Sequence, residues 1–402
     1  MSEPAKILIL YARFGEGHWQ AAAALRQSFS KLGHTEVRLV DLLEEAHPVL
    51  NGISRYVYHK SYSVLPQAYG WVYEKTKTMK PNSLFASWLH SMGAQTLRKL
   101  LERERPHAII HTFPTLAFAQ LTRSMMRSIP VYNVLTDFDL HYRWIHPEVN
   151  KYFVATEDIR RQLCDLGVDP RRVAATGIPV RADFVSLPST PERHRIILVM
   201  ANAGLSAAST ARLCKQLVQR CHSRVIIVCG RKEAFRRALE GRLNANPDID
   251  VLGYTERLQE WMAVASCIVT KPGGLTLSEA IAAELPIYLY RPVPGQERNN
   301  ARYLASKGAA VVCNTIAQLA DAVFEHFAKP ESREILLRGI RALRKSDASD
   351  AIALDIAGQL HIMEEASQLR RWQQSDSGTN DAMFDLDPGS CQRRAAREQT
   401  IR

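Results

Sequence analysis

Residues 7–29 read ILILYARFGEGHWQAAAALRQSF, and the order of their parts decides the fold class. The apolar run 7–11 suits a strand buried on both faces, Gly15 and Gly17 break it, and an alanine-rich helix follows. A strand that passes through glycines into a helix is one arm of a parallel α/β unit, because parallel neighbours need a helical crossover. The glycines let backbone approach a ligand closely, and the helix N-terminus they open favours an anion. His18 stands at that N-terminus. The macrodipole there opposes protonation, which keeps the imidazole neutral and able to take a proton from a hydroxyl. A histidine bonded to local backbone is the structural alternative. Dinucleotide binding is a further one: Asp41 ends the next strand, but G-x-G-x-x-G would need glycine where Gln20 stands, and a P-loop is absent.

The same alternation continues along the chain. Strands are expected at 6–12, 37–42, 108–112, 130–136, 152–156 and 172–177, then at 195–201, 224–230, 250–254, 266–270, 286–290 and 309–313. Six strands in each half predict two doubly wound, Rossmann-like domains of similar design, facing each other across a cleft. The domains are placed at 1–185 and 195–345, with the Pro-containing stretch SLPSTPERH (186–194) as linker. An amphipathic helix is expected over 346–370, carrying Ile352, Ile356, Leu360 and Met363 on one face. The polar stretch 371–402 is expected to be disordered.

The 402 residues are 46% apolar and 23% charged, with a net charge of +11. No apolar run approaches the roughly 18 to 20 residues that span a bilayer. The start, Met1-Ser2-Glu3-Pro4, lacks a basic n-region, so no signal peptide is expected. The seven cysteines are scattered without C-x-x-C spacing, which suggests buried thiols in a reducing cytosol. The positive charge favours anionic partners, and it concentrates at 51–105, where nine Lys/Arg meet three Asp/Glu among many aromatics. Tyr69, Trp71, Lys75, Lys77 and Trp88 in that window suit an anionic membrane surface. The structural alternative is a helical insertion with a packed aromatic side and solvated lysines. No helix-turn-helix, zinc-finger or RNP pattern accompanies the charge, so no nucleic-acid partner is expected.

A second site motif is TKPGGLTLSEAIAAELPIYLYRPVPGQERNNARYL, residues 270–304. Pro272 ends a strand, and Gly273 and Gly274 bring backbone amides to an open helix N-terminus. Glu279, one turn in, is placed to accept both hydroxyls of a ribose; alternatively, Thr276 to Glu279 is a capping box in which that carboxylate serves its own helix. Pro294-Gly295-Gln296-Glu297 opens another helix bearing Asn299 and Asn300, whose short polar side chains suit sugar hydroxyls. Asp137, His141 and His146 in TDFDLHYRWIH match no common metal-ligand spacing. Asp137 would orient His18 or meet the acceptor, or else cap a helix.

G-x-G-H before an alanine-rich helix, with K-P-G-G-L-T-x-x-E-A and P-V-P-G-Q-E-x-x-N-A, resembles the diacylglycerol glycosyltransferases: the bacterial processive beta-glucosyltransferases and the monogalactosyldiacylglycerol synthases. HTFPTLAF (111–118), residues 133–156 and TGIPVRADF (176–184) are similar to the same group, and the likeness covers about residues 5–345. It implies a GT-B fold with a UDP-sugar donor on the C-terminal domain. The acceptor, diacylglycerol or a glycosyl-diacylglycerol, would sit on the N-terminal domain of an enzyme lying on the cytoplasmic face of the membrane. Transfer would invert the anomeric centre with no metal and no cofactor. By position, His18 corresponds to the general base, with Asp137 beside it. Gly273, Gly274, Leu275 and Thr276 correspond to the diphosphate loop and Glu279 to the ribose ligand, and Gly17 is a further donor-binding candidate. Gln296 and Glu297 correspond to the sugar-reading pair, with Asn300 a further donor-binding candidate, Arg181 to an arginine near the phosphates, and Gly253 and Tyr254 to the uracil contact. MANAGLSAAS (200–209) departs from the family, with Asn202 where a glycine usually stands. Two other readings are a UDP-sugar 2-epimerase-like enzyme acting on a soluble substrate and a non-catalytic lipid- or nucleotide-binding protein.

Overall fold

The computed structural model describes residues 4–12, 16–33, 35–41, 44–45, 94–114, 129–187, 195–201 and 205–361. Tyr69, Trp71, Lys75, Lys77 and Trp88, most of the expected linker, the loop around Asn202 and the tail 371–402 lie outside the described residues.

The first sheet contains β1 (Ala5–Tyr11), β2 (Thr35–Asp41), β3 (Ala108–His111), β4 (Val131–Val134), β5 (Lys151–Phe153) and β6 (Val173–Ala174). The second contains β7 (Ile196–Met200), β8 (Arg224–Val228), β9 (Ile249–Leu252), β10 (Cys267–Thr270), β11 (Ile287–Tyr290) and β12 (Ala310–Cys313). Their spatial orders are β2-β1-β3-β4-β5-β6 and β12-β11-β10-β7-β8-β9, and every pairing is parallel. Central strands such as β3, β4, β10 and β11 are buried at every position, as unbroken apolar runs should be when both faces are covered. Edge strand β2, TEVRLVD, instead alternates between more and less exposed residues along most of its length.

The helices between them are α1 (Glu16–Leu32), α2 (Ala94–Glu104), α3 (Glu157–Asp165), α4 (Ala207–Cys221), α5 (Glu233–Leu243) and α6 (Leu258–Val264). They continue with α7 (Gly274–Ala282), α8 (Gln296–Ser306), α9 (Ile316–Ala328) and α10 (Pro330–Leu343). Packing helices follow helical spacing: α2 buries Leu97, Leu100 and Leu101. Ser and Thr caps start several of them, with Thr156 on α3, Ser206 on α4 and a full capping box from Thr315 on α9. By contrast, α7 and α8 begin on glycines and carry no side-chain cap.

Contacts group Met1–Leu354 into one compact body that holds both sheets, and Asp355–Arg402 into a second unit. Within the first body, one apolar core runs from Leu8, Leu10 and Ile109 through Leu275 and Leu277 to Leu198 and Ile287. A separate core of Ile197, Val199, Leu213, Leu217 and Val225 covers the other face of the second sheet. Residues 348–361 are helical, within the span expected for the last helix. Among the described residues, no helix is long and apolar enough to cross a membrane.

This topology positions the site. Strand order reverses between β1 and β3 in the first sheet and between β7 and β10 in the second. Ligands of open α/β sheets bind beyond the carboxyl ends of the strands at such reversals. Those ends lead into His18 and Thr112 on one side and into residues 271–276 on the other.

Candidate active site

The two reversal points face each other. A Cβ placed on Gly17 would lie 3.6 Å from the Leu275 Cβ, so the first turns of α1 and α7 meet. Gly274 packs against the segment after β4 so closely that a Cβ there would overlap the Thr136 carbonyl oxygen and lie 2.9 Å from Asp137 Oδ1. Only glycine allows that approach. The amides of Gly274, Leu275 and Thr276, with no side-chain cap, belong to the turn that packs against α1 and against Thr136, which also contacts His18.

His18 is oriented by backbone. Its Nδ1 lies 2.7 Å from the Thr112 carbonyl oxygen, which can only accept, so Nδ1 carries the proton and Nε2 keeps its lone pair. The Thr136 hydroxyl is 3.1 Å from the same nitrogen, and the Thr112 hydroxyl donates back to the His18 carbonyl at 3.0 Å. Phe113 contacts the ring edge-to-face. Burial lowers the His18 pKa below its ordinary value, against the opposing pull of the Asp137 charge and the Thr112 hydrogen bond. A neutral, singly protonated imidazole with a fixed tautomer is the form a general base requires.

Asp137 is buried, and burial raises its pKa above the usual carboxylate range; the His18 charge and hydrogen bonds from Asn300 and Gln296 act in the other direction. It influences His18 through charge, while the Thr112 carbonyl does the orienting. The helix-capping alternative does not hold, since His141 caps the short helical turn that follows. Asn300 is also placed differently from the sequence expectation. Its Oδ1 accepts the Phe138 amide at 2.9 Å, and its Nδ2 donates to Asp137 Oδ1 and to the Pro272 carbonyl, each at 3.1 Å. With both amide protons committed and no solvent exposure, it has none left for a sugar hydroxyl.

On the donor side, α7 starts at Gly274 with Gly273 as its N-cap, so Thr276 lies inside the helix and no capping box forms. Glu279 is therefore released from that role. It is buried without a hydrogen-bond partner among the described residues, and burial pushes its carboxyl up to about 8, with Arg181 opposing. Arg181 donates to the Glu256 carbonyl at 3.1 Å and to Gln259 Oε1 at 2.9 Å. These bonds set Arg181 beside the loop after β9, near enough to Glu279 to act on its charge. That loop holds Gly253 and Tyr254, whose half-exposed ring carries the Arg231 guanidinium 4.0 Å from its centre. In the neighbouring loop, Gly295 has φ +97°, a conformation essentially reserved for glycine, and it starts α8 at Gln296. Glu297 is buried and paired with Lys271 at 3.0 Å.

Among the described residues, no group of three or more His, Cys, Asp or Glu side chains is placed to share a metal ion. His141 and His146 instead accept the amides of Arg143 and Glu148. Sequence reasoning missed the Thr112 carbonyl, Lys271 and the partners of Arg181. Thr112 and Lys271 stood inside quoted motifs, HTFPTLAF and TKPGG, but nothing local to either motif reveals its partner.

Two doubly wound parallel sheets with opposed reversal points make this a GT-B protein. The fold is shared with S. aureus MnaA in its UDP co-structure (TM-score 0.59, 13% identity, covering 89% of this chain and 97% of that one). It is shared also with Acinetobacter baumannii MurG (TM-score 0.55, 15% identity, 88% and 100%). Residues 18–180 match the family model described as monogalactosyldiacylglycerol (MGDG) synthase, and residues 205–350 the glycosyltransferase family 28 C-terminal domain. A processive diacylglycerol beta-glucosyltransferase of Bacillus cereus is 38% identical over 89% of this chain and 94% of its own length. The protein of the same description from Bacillus thuringiensis is 39% identical over 86% and 89%. The chain belongs to this family of diacylglycerol glycosyltransferases.

Proposed function

We propose that the protein transfers a hexose, glucose, from a UDP-sugar to the hydroxyl of 1,2-diacylglycerol or of a glycosyl-diacylglycerol. The observation that carries this reading is the His18 ring, its Nδ1–H held by the Thr112 carbonyl, set across the cleft from the glycine-opened N-terminus of α7. The family supplies the acceptor class.

In this mechanism, His18 Nε2 takes the acceptor hydroxyl proton while the oxygen attacks the sugar C1 from the face opposite UDP. The bond from C1 to the diphosphate oxygen breaks, and the configuration at C1 inverts. Negative charge growing on the diphosphate meets the amides of Gly274, Leu275 and Thr276. Preorganised donors of this kind are worth about 3 kcal/mol each, enough for several together to serve where other enzymes use a cation. Glu279 receives the ribose hydroxyls, Tyr254 and Gly253 the uracil, and Gln296 with the Lys271-held Glu297 the sugar. The protein would work as a peripheral enzyme on the cytoplasmic face of the membrane, docked through the basic aromatic window 51–105.

The test offers labelled UDP-glucose and UDP-galactose with diacylglycerol vesicles and analyses the lipid products. Glucosyl-diacylglycerol is expected from the native protein, and His18→Ala should lower its rate by about 10² to 10⁴-fold. A soluble epimerised sugar in place of a glycolipid, or an undiminished rate in the variant, would overturn the reading.

A further inference from the structure

One side of α8 is occupied from end to end by the N-terminal half of the chain. At its first turn, Gln296 lies near enough to Asp137 to favour its charged form. Asn299 Nδ2 donates to Asp139 Oδ2 at 2.9 Å. Asn300, wholly buried, holds the Phe138 amide and the Asp137 carboxyl at once, and ties both to the Pro272 carbonyl ahead of α7. One turn on, the Tyr303 ring stacks on Phe138 with centroids 5.9 Å apart, and its hydroxyl donates to Asp158 Oδ2 at 2.8 Å. At the end of the helix, Lys307 pairs with the same carboxylate at 2.8 Å.

The segment held in this way, 136–139, is the one that supports the base. Thr136 packs on Gly274 and lies 3.1 Å from His18 Nδ1, and Asp137 supplies the charge that His18 feels. The opposite end of the connection is the loop proposed to read the donor sugar, which begins at Gly295 and continues into Gln296 and Glu297. We infer that Asn300, backed by Asn299 and Tyr303, is a positioning residue that couples donor-sugar recognition to placement of the segment supporting His18. A donor engaging the first turn of α8 thereby stiffens residues 136–139, and an empty donor site leaves them freer. Asn300 does this without touching the donor. The inference rests on the proposed transferase reading for the identity of the donor.

Amide hydrogen exchange reads the connection directly, because the Phe138 N–H is the proton that Asn300 Oδ1 accepts. In the native full-length protein, UDP-glucose should slow exchange across 136–140 by about tenfold or more. In Asn300→Ala that slowing should vanish, UDP-glucose affinity should change by less than about threefold, and kcat should fall by about 10²-fold with little change in donor KM. Tyr303→Phe keeps the ring stack and loses only the Asp158 bond, so a milder loss of the same kind is expected if Asn300→Ala fails to fold. Three results would overturn the inference: no donor-dependent slowing in the native protein, retention of that slowing in the folded variant, or a collapse of donor affinity with kcat intact. The last result would make Asn300 a donor ligand. If UDP-glucose protects 136–140 but no glycolipid forms, the coupling stands and the transferase reading fails.

Discussion

Burial inside α7 pushes the Glu279 carboxyl up to about 8, from an ordinary value of 4.5. Between those two values the native protein holds a proton that the unfolded chain has released. Stability therefore falls as pH rises through that interval. Glu279→Gln removes the titration, so its melting temperature relative to the native protein should climb from pH 5 to pH 8. Parallel melting curves across that range would show the carboxyl to be ordinary. The same burial fits the ribose contact proposed for it: a carboxyl with no hydrogen-bond partner among the described residues would regain on two hydroxyls what it lost on desolvation. His18 shows the complementary case, an imidazole kept neutral by burial and held in one tautomer by a carbonyl.

The two motif helices depend on glycines for different reasons. Gly274 is needed because the Thr136 carbonyl occupies the space a side chain would take. Gly295 is needed because the chain turns there at φ +97° before α8 starts at Gln296. Gly295→Ala should cost about 1–3 kcal/mol of stability from backbone strain, measured by denaturant unfolding. It should also weaken UDP-glucose binding more than UDP binding, because the strain falls on the loop assigned to the sugar. Equal losses for the two ligands would remove that assignment. At this scale the sequence was highly legible. Each expected strand has its counterpart, because unbroken Val/Ile/Leu runs between helical segments admit few other arrangements. Strand ends were less so: 172–177 was expected and only Val173–Ala174 pair in the sheet.

Across the whole molecule, the net charge of +11 and its concentration at 51–105 bear on where the enzyme works. Surface charges separated by more than about 10 Å are largely screened at 0.1 M salt. Transfer measured on vesicles should thus rise with the fraction of anionic lipid and fall as salt is added. Insensitivity to both would separate the basic window from membrane docking. The two halves of the chain are joined through side chains that meet across the cleft, Arg181 with Gln259, Asn299 with Asp139 and Tyr303 with Asp158.

From its own letters the sequence determined the class of fold, the two glycine-opened helix starts and the histidine at one of them. These are local properties, written in apolar periodicity and in the conformational freedom of glycine. The tertiary structure alone decided which groups meet: Thr112 with His18 across 94 positions, and Asn300 with Asp137 across 163. It moved Asn300 from a sugar contact to a connection between halves, and freed Glu279 by starting α7 at Gly274 rather than after a Thr276 cap. A polar side chain shows in sequence only that it can form hydrogen bonds. Whether its partner is ligand or protein depends on which distant segment folding brings within reach.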